Sequence, residues 1–416
     1  MDYTPTTQRP FEEDAQKMKV SMASHQVDTT VMGGVPTPKH DDLAAMQAND
    51  YILRARDGAV TRVPVERSLI PHDPLGFAQL MTVLKGPNDT IYVLQTSIAS
   101  KSTDGGRTWT VLESDEKLRH ANGENGAGQT QVLRDGTFVT VVEAVAKEPD
   151  LAEVWASNDE GQTFEKISRI PVPQMYAEYP NHGSGNFAMV RLPDDTLLWI
   201  THAWNVEYEG RYEKYLSGKS MAVAFSSTDR GLTWEGPFWI ADWVSEGGMA
   251  RMASGKLLVA VRHNRPLLPG DSPELTRGNW NNGITAFKHV MLVDSHDCGR
   301  TWTNHRLLTT MFGQCYGFPA GLGNGMAVVL HDHRYPRGQS HPLRSMVSHD
   351  EGLTWENEVY YLFFADKGTG YGSSVVLDDD TVLTIGGITD PDAGEGSSGS
   401  VGHCSVATVR WKPMKD

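Results

Sequence analysis

Two stretches of this chain bring aromatic and amide side chains together as a sugar ligand requires. Residues 201–220 read THAWNVEYEGRYEKYLSGKS and carry Trp204, Tyr208 and Tyr212. Residues 263–284 carry Trp280 with Asn279, Asn281 and Asn282. An aromatic ring covers the apolar face of a sugar, and an amide meets its hydroxyls. The plainer alternative is that both stretches simply cover the core beneath them. His120 stands before ANGENGAG and His182 lies within PNHGSGN. An imidazole titrates near neutral pH and suits general acid–base work; the plainer alternative is a hydrogen-bonded structural histidine. Asp73, in Pro71-His72-Asp73-Pro74, is a further acid/base candidate. His331 and His333 share one strand face, but no other stretch supplies a matching ligand spacing, so no metal site is read. The nucleophile elbow, phosphate loop and dinucleotide fingerprint are absent, and no cofactor is read either.

The elements that position these residues announce themselves by repetition. The octet Ser102-Thr103-Asp104-Gly105-Gly106-Arg107-Thr108-Trp109 recurs from Ser157, Ser227, Ser295 and Ser348. The shared pattern is S-x-D-x-G-x-T followed by Trp or Phe. Ser and Asp bond neighbouring amides and favour turns. Gly supplies the positive φ of a tight hairpin. Thr and the aromatic residue open the next strand. The start-to-start gaps of 55, 70, 68 and 53 residues suit propeller blades better than a short solenoid repeat.

A second repeat precedes the octets. Six segments each hold an apolar strand, a Gly/Asp/Asn turn and another apolar strand: 77–94, 129–142, 187–200, 249–262, 320–334 and 371–387. Five are followed by an octet, which gives two inner and two outer strands per unit. The sixth has a third strand, Cys404 to Trp411, and lacks a fourth. Residues near 51–66 alternate apolar and polar types and can supply it, closing the ring and removing an exposed edge. The expected fold is all-β: a six-bladed β-propeller over residues 46–416 with five octet hairpins, closed by an N-terminal strand. Residues 1–45, polar and rich in Thr, Pro and Gln, read as a flexible arm. Ligands are expected on the face opposite the octet turns, where the long loops after each second strand lie.

Composition narrows the partners. The net charge of -15 argues against nucleic acid and against an anionic membrane surface. There is no apolar run near the length of a membrane span. Cys298, Cys315 and Cys404 are too few and too scattered for a disulfide framework. No secretory leader is read in residues 1–50, so a cytoplasmic location is expected, or secretion if the sequence is a processed form. Oligomeric state is not legible.

The octets resemble the Asp boxes of sialidases and related BNR-repeat propellers, and the resemblance spans about residues 70–412. It implies a glycosidase site with a tyrosine nucleophile, an activating glutamate, arginines that clamp a substrate carboxylate, and an aspartate acid/base. Tyr371, in Gly370-Tyr371-Gly372, looks like the tyrosine. Glu246, in Ser245-Glu246-Gly247-Gly248, looks like the glutamate. Arg262 and Arg334 look like the second and third clamp arginines, with His263 beside the former. Arginine grips a carboxylate with two parallel bonds. A phenol needs a base before it can attack, and presents less negative charge to an anionic substrate than a carboxylate does.

The first unit departs from the family. Its strand reads Gly76-Phe77-Ala78-Gln79-Leu80 where the family carries an arginine, and Gln95 to Lys101 holds no aspartate. His120, His182 and Asp73 are the candidates for the missing acid/base. Three functions are therefore expected to compete, the first of them favoured over the other two. One is a sialidase-like exo-glycoside hydrolase on a terminal acidic sugar, with Trp204 and Trp280 lining the mouth. Another is a polysaccharide lyase on a uronate, using His, Tyr and Arg. The third is a carbohydrate-binding propeller without catalysis.

Overall fold

The computed structural model describes residues 38–71, 82–95, 98–113, 129–143, 150–173, 181–183, 189–204, 220–265, 287–308, 314–333, 342–355, 357–364, 372–389 and 404–415. Helix α1 (His40–Gln47) comes first, then β1 (Tyr51–Arg56), β2 (Ala59–Pro64) and β3 (Glu66–Leu69). Blade 1 holds β4 (Thr82–Lys85), β5 (Ile91–Leu94), β6 (Ala99–Ser102) and β7 (Thr110–Leu112). Blade 2 holds β8 (Thr130–Val132), β9 (Phe138–Glu143), β10 (Asp150–Ser157) and β11 (Glu165–Pro171). In blade 3 the inner strand comes in two pieces, β12 (Asn181–Gly183) and β13 (Val190–Arg191). These are followed by β14 (Leu197–Trp204), β15 (Ser220–Ser227) and β16 (Glu235–Asp242). Blade 4 holds β17 (Val244–Arg251), β18 (Leu257–Arg265), β19 (Phe287–Ser295) and β20 (Thr303–Leu307). Blade 5 holds β21 (Gln314–Gly321), β22 (Ala327–His333), β23 (Leu343–Ser348) and β24 (Glu358–Phe363). Blade 6 holds β25 (Ser373–Val376), β26 (Val382–Thr389) and β27 (Cys404–Trp411), completed by β3. The expected six-bladed propeller is what the chain forms.

The closing strand differs in detail from the expectation. Residues 51–64 do not complete blade 6. They form the β1–β2 hairpin, and β1 adds to the outer edge of blade 5 by pairing with β24. The closing strand is the next segment, Glu66–Leu69, paired with β27. The reason is visible in the side chains. Arg54 and Arg56 of the hairpin both reach the fully buried Glu358 of β24, Arg54 at 2.5 Å. The Tyr360 hydroxyl donates to the same carboxylate at 2.7 Å. Glu358 thereby draws the hairpin to blade 5. Residues 38–47, read from sequence as part of the arm or its boundary, carry α1, whose Leu43 and Met46 are buried in the blade 5 core.

Each octet closes on the same bonds. In the fifth, the Ser348 hydroxyl donates to Asp350 at 2.7 Å, and Gly352 N–H donates to Ser348 Oγ at 2.8 Å. Thr354 donates to Asp350 through both N–H and hydroxyl, at 2.8 and 2.5 Å. The glycine stands at φ 83°, a left-handed conformation that side chains resist. The turn also reaches across to the preceding blade. A Cβ on Gly352 would lie 2.9 Å from Leu258 of blade 4. Ser68 donates to the octet carbonyl of Gly106 and Ser168 to that of Gly231, each from the outer strand of the blade before. The octets are therefore seals between blades as well as hairpin turns.

A pH dependence follows. Partial burial pulls the Asp350 carboxyl up, but the Thr354 and Ser348 bonds outweigh it and hold it below the ordinary range. Asp229 and Asp297 are lowered by the corresponding balance. A folded value below the unfolded one means stability that is complete above the unfolded aspartate value, near 3.9, and lost as pH falls from there through the lower folded value. The melting temperature is expected to drop on acidification below about pH 4. In Asp350→Asn the drop should be shallower, and stability at pH 7 lower by about 1–2 kcal/mol. An unchanged acid slope in the variant would contradict this.

The inner strands of all six blades line a central channel of about 280 Å³, with Gln131, Val190, Ala250, Phe318 and Val375 among its walls. That is below the roughly 300–1,000 Å³ of pockets that enclose a drug-sized ligand. A ligand of that size would therefore have to sit at the mouth and not within the channel.

Candidate functional site

At the mouth opposite the octets, each inner strand begins and each second strand ends. Blades 4 and 5 share a distortion there. Val244 pairs with His263 and Gly247 with Val261, so Ser245 and Glu246 together oppose Arg262. Gln314 pairs with His333 and Gly317 with His331, so Cys315 and Tyr316 oppose Asp332. Two residues facing one is a β-bulge, which twists a strand and re-aims a side chain. The glycine after each bulge is forced by contact. A Cβ on Gly247 would lie 2.3 Å from the Ala260 carbonyl oxygen, and one on Gly317 2.8 Å from Ala260 Cβ. Gly372 of blade 6 meets the same constraint, 2.5 Å from the Ile385 carbonyl oxygen. Glu246, Tyr316 and Tyr371 are the residues that precede these three glycines.

The bulge in blade 4 brings Glu246 and Arg262 together. Arg262 Nη1 donates to Glu246 Oε2 at 2.7 Å, and the two side chains are 16 and 17 % exposed. His263 follows on the opposite face of β18, 4 % exposed, directly across from the fully buried His289. His202 on β14 and His331 on β22 are likewise buried at the mouth ends of their strands. Tyr316 is fully buried, and its hydroxyl accepts the Gly372 N–H at 3.2 Å. Among the described residues, no three His, Cys, Asp or Glu side chains converge as a metal site.

The sequence-derived candidates divide accordingly. Glu246 and Arg262 are brought into contact, with His263 adjacent. His182 lies within β12, paired with Ala203, instead of ahead of the inner strand, and Trp204 is the last residue of β14, paired with Asn181. Both stand at the mouth of blade 3. Tyr371, Arg334, Asp73, His120 and Trp280 lie outside the described residues. Sequence reasoning missed Tyr316 and His289. Tyr316 had a signal: it precedes a glycine at the start of an inner strand, as Glu246 and Tyr371 do. His289 had none.

No protein-family description matches the chain, and no curated protein matches it. Solved structures do. A protein of unknown function from Dyadobacter fermentans aligns at a TM-score of 0.53 and 17% identity, over 83% of this chain and 97% of that one. The likeness is one of fold. An α-L-arabinofuranosidase from Fusarium graminearum, in complex with an iminosugar inhibitor, aligns at 0.51 and 16% identity over the same shares. A Hadza microbial sialidase aligns at 0.48 and 15% identity, over 80% of this chain and 65% of that one. At these identities the likeness is one of fold, and function rests on the propeller mouth itself.

Proposed function

We propose that this sialidase-like propeller is an exo-acting glycoside hydrolase with Glu246 as its central carboxylate. The observation that carries the reading is the Glu246–Arg262 pair, partly open at the mouth of the channel and aimed by a bulge. A guanidinium in contact favours the ionised carboxylate, and an ionised carboxylate is a base or a nucleophile. In the acidic-sugar form of the reading, Glu246 takes the proton of Tyr371 as the phenol attacks the anomeric carbon and the bond to the aglycone oxygen breaks, the aglycone leaving with a proton from solvent; water then cleaves the sugar–tyrosine bond and returns the proton to the phenol. Arg262 and Arg334 receive the substrate carboxylate. The resemblance of the octets and of the Glu246, Arg262, Arg334 and Tyr371 motifs supports this form.

A second form has its own observation. Glu246 already neutralises Arg262, which leaves less positive charge for an anionic sugar. A neutral glycoside then suits the mouth, with Glu246 itself attacking the anomeric carbon and displacing the aglycone, which leaves with a proton from solvent, before water hydrolyses the glycosyl–enzyme ester. An arabinofuranoside, the substrate type named for one protein of this fold, carries no carboxylate.

Aryl sialosides, aryl glucuronides and aryl arabinofuranosides, offered to the wild type and to Tyr371→Phe, separate the forms. Release from an acidic glycoside that the variant loses supports the first. Release from a neutral glycoside that survives in the variant supports the second. No aglycone release from any of the three overturns the hydrolase reading, and new ultraviolet absorbance from uronate oligosaccharides would replace it with a lyase.

A further inference from the structure

The β1–β2 hairpin extends blade 5 to six strands and makes β2 its outer edge. Among the described residues, β2 pairs with β1 and with no strand on its other side. The outer strands of the other blades are poor templates for a further strand. β3 and β7 hold four and three residues. The pairings of β11, β16 and β20 are interrupted by shifts in register, and such irregularities turn an edge away from a partner. β2 is neither short nor distorted. Its six residues, Ala59-Val60-Thr61-Arg62-Val63-Pro64, pair with β1 without a shift, and five of the six are exposed. Its one charged group is drawn away from the edge: the Arg62 guanidinium lies over the ring of Tyr51 on β1, 4.7 Å from its centre.

The hairpin decides which backbone groups face outward. Bonded and non-bonded pairs alternate along an antiparallel ladder. Val65 N–H donates to the Asp50 carbonyl at 3.1 Å, so Val63, Thr61 and Ala59 turn their N–H and C=O groups toward β1. The two-residue turn requires the same phase: Asp57 and Gly58 both have positive φ, 51° and 78°, which makes Arg56 and Ala59 a bonded pair. Val60, Arg62 and Pro64 therefore face outward. Pro64 has no N–H, and an outward position on an edge is where a strand accepts proline. The open edge offers the N–H groups of Val60 and Arg62 and the carbonyls beside them. Paired with itself about a two-fold axis, this edge has one register that uses both donors. Thr61 lies across from Thr61 of the second copy, and Val60 and Arg62 each exchange two bonds with Arg62 and Val60 opposite. A register centred on Arg62 sets like charges against each other and Val60 against Pro64, which cannot donate. One centred on Val60 sets Arg62 against the turn.

We propose that β2 is a dimerisation edge, where two copies of this chain pair antiparallel about a two-fold axis at Thr61. The pairing joins two six-stranded sheets into one of twelve strands. It stands apart from the Glu246–Arg262 pair and does not depend on the hydrolase reading. A contact of five or six residues a side falls at the small end of specific interfaces, below about 1,200 Å², so the dimer dissociates on dilution.

The test is analytical ultracentrifugation of the full chain over a dilution series, with the melting temperature as a check on folding. The wild type should sediment at twice the chain mass when concentrated and at the chain mass when dilute. Val60→Pro removes one outward N–H from each copy and leaves the bonds to β1 in place. It should raise the dissociation constant about 10-fold or more, through the loss of two hydrogen bonds. Val60→Thr keeps the donor and should dimerise as the wild type does. A second measurement reads the register. Thr61 and its copy form a non-bonded pair with Cα atoms about 4.5 Å apart, within the roughly 4.4–6.8 Å that a disulfide spans. Under mild oxidation Thr61→Cys should give a covalent dimer, and Arg62→Cys, which faces Val60, should do so far more slowly. Both carry Cys298→Ser, because Cys298 is free and exposed. A wild type that stays monomeric at every concentration overturns the proposal. So does a dimer that a folded Val60→Pro variant leaves equally tight, or Arg62→Cys cross-linking as readily as Thr61→Cys.

Discussion

Glu246→Gln is expected to lower kcat on the responsive glycoside by about 10²–10⁴-fold, the contribution of a positioned acid–base group. If Glu246 is itself the nucleophile, the loss should lie at or beyond the upper end of that range. The size matters because the substitution is nearly isosteric. Gln keeps the volume inside the bulge and can still accept one bond from Arg262, which donates to Glu246 Oε2 at 2.7 Å. It cannot take a proton from a phenol or attack a sugar. The variant should therefore melt close to the wild type while turnover collapses, since the pair is partly open to solvent and its neutralisation is screened. Arg262→Lys supplies the contrast. A lysine keeps the charge but loses the planar fork. On an acidic substrate it should raise KM about 10-fold or more, the loss of one charge-assisted bond of roughly 1.5–3 kcal/mol. On a neutral substrate the loss should fall on kcat, through the orientation of Glu246. A Glu246→Gln enzyme with more than a tenth of wild-type kcat would remove this residue from the chemistry.

The architecture was legible because it is repeated and local. Five octets place Asp, Gly and Thr at fixed offsets, and each offset is consumed by a bond within the same turn, such as Thr354 to Asp350. A contact four residues long can be read from four residues. Blade closure was legible in kind, since a sixth unit lacking its outer strand must find one. It was misplaced by a few residues, because the choice between 51–64 and 66–69 is made by Arg54 and Glu358, which lie 304 residues apart. No local pattern records that pairing. The site shows the same division. Glu246 and Arg262 were each found by their surroundings, but their contact depends on Ser245 and Glu246 jointly facing one residue. A strand that keeps strict alternation would send the two elsewhere. The glycine after each bulge was the available clue. Gly247, Gly317 and Gly372 sit where any Cβ would strike the second strand or the next blade, and that set also leads to Tyr316.

Arg306→Ala is expected to destabilise the propeller by about 3–5 kcal/mol, the cost of breaking a buried ion pair by removing one partner. Both side chains of the pair are 2 % exposed, and Arg306 donates to the two oxygens of Asp294 at 3.0 and 3.1 Å. The loss strands the Asp294 charge, which retains Asn304 at 2.7 Å and Lys256 at 3.8 Å. Those two partners place the expected value toward the lower end. The second consequence is architectural. Arg306 also donates to the Gly352 carbonyl, the octet of the next blade. Ser68 and Ser168 perform the same task at two other seams with a single hydroxyl. Blade 4 instead uses a long side chain that must be pinned by Asp294, so the seal between blades 4 and 5 and the charge balance within blade 4 fail together. Arg306→Lys separates the two effects. It preserves the charge beside Asp294 but reaches one acceptor at a time, and should recover part of the loss measured by denaturant unfolding. Equal losses in the lysine and alanine variants would mean that the Nη2 bond to the Gly352 carbonyl dominates. A loss below about 1 kcal/mol in the alanine variant, the range of an exposed pair, would mean that water reaches Asp294. Because the Glu246–Arg262 pair stands at one end of blade 4 and this seal at the other, a loosened seam that also lowered activity would show that the mouth depends on blades 4 and 5 staying in register.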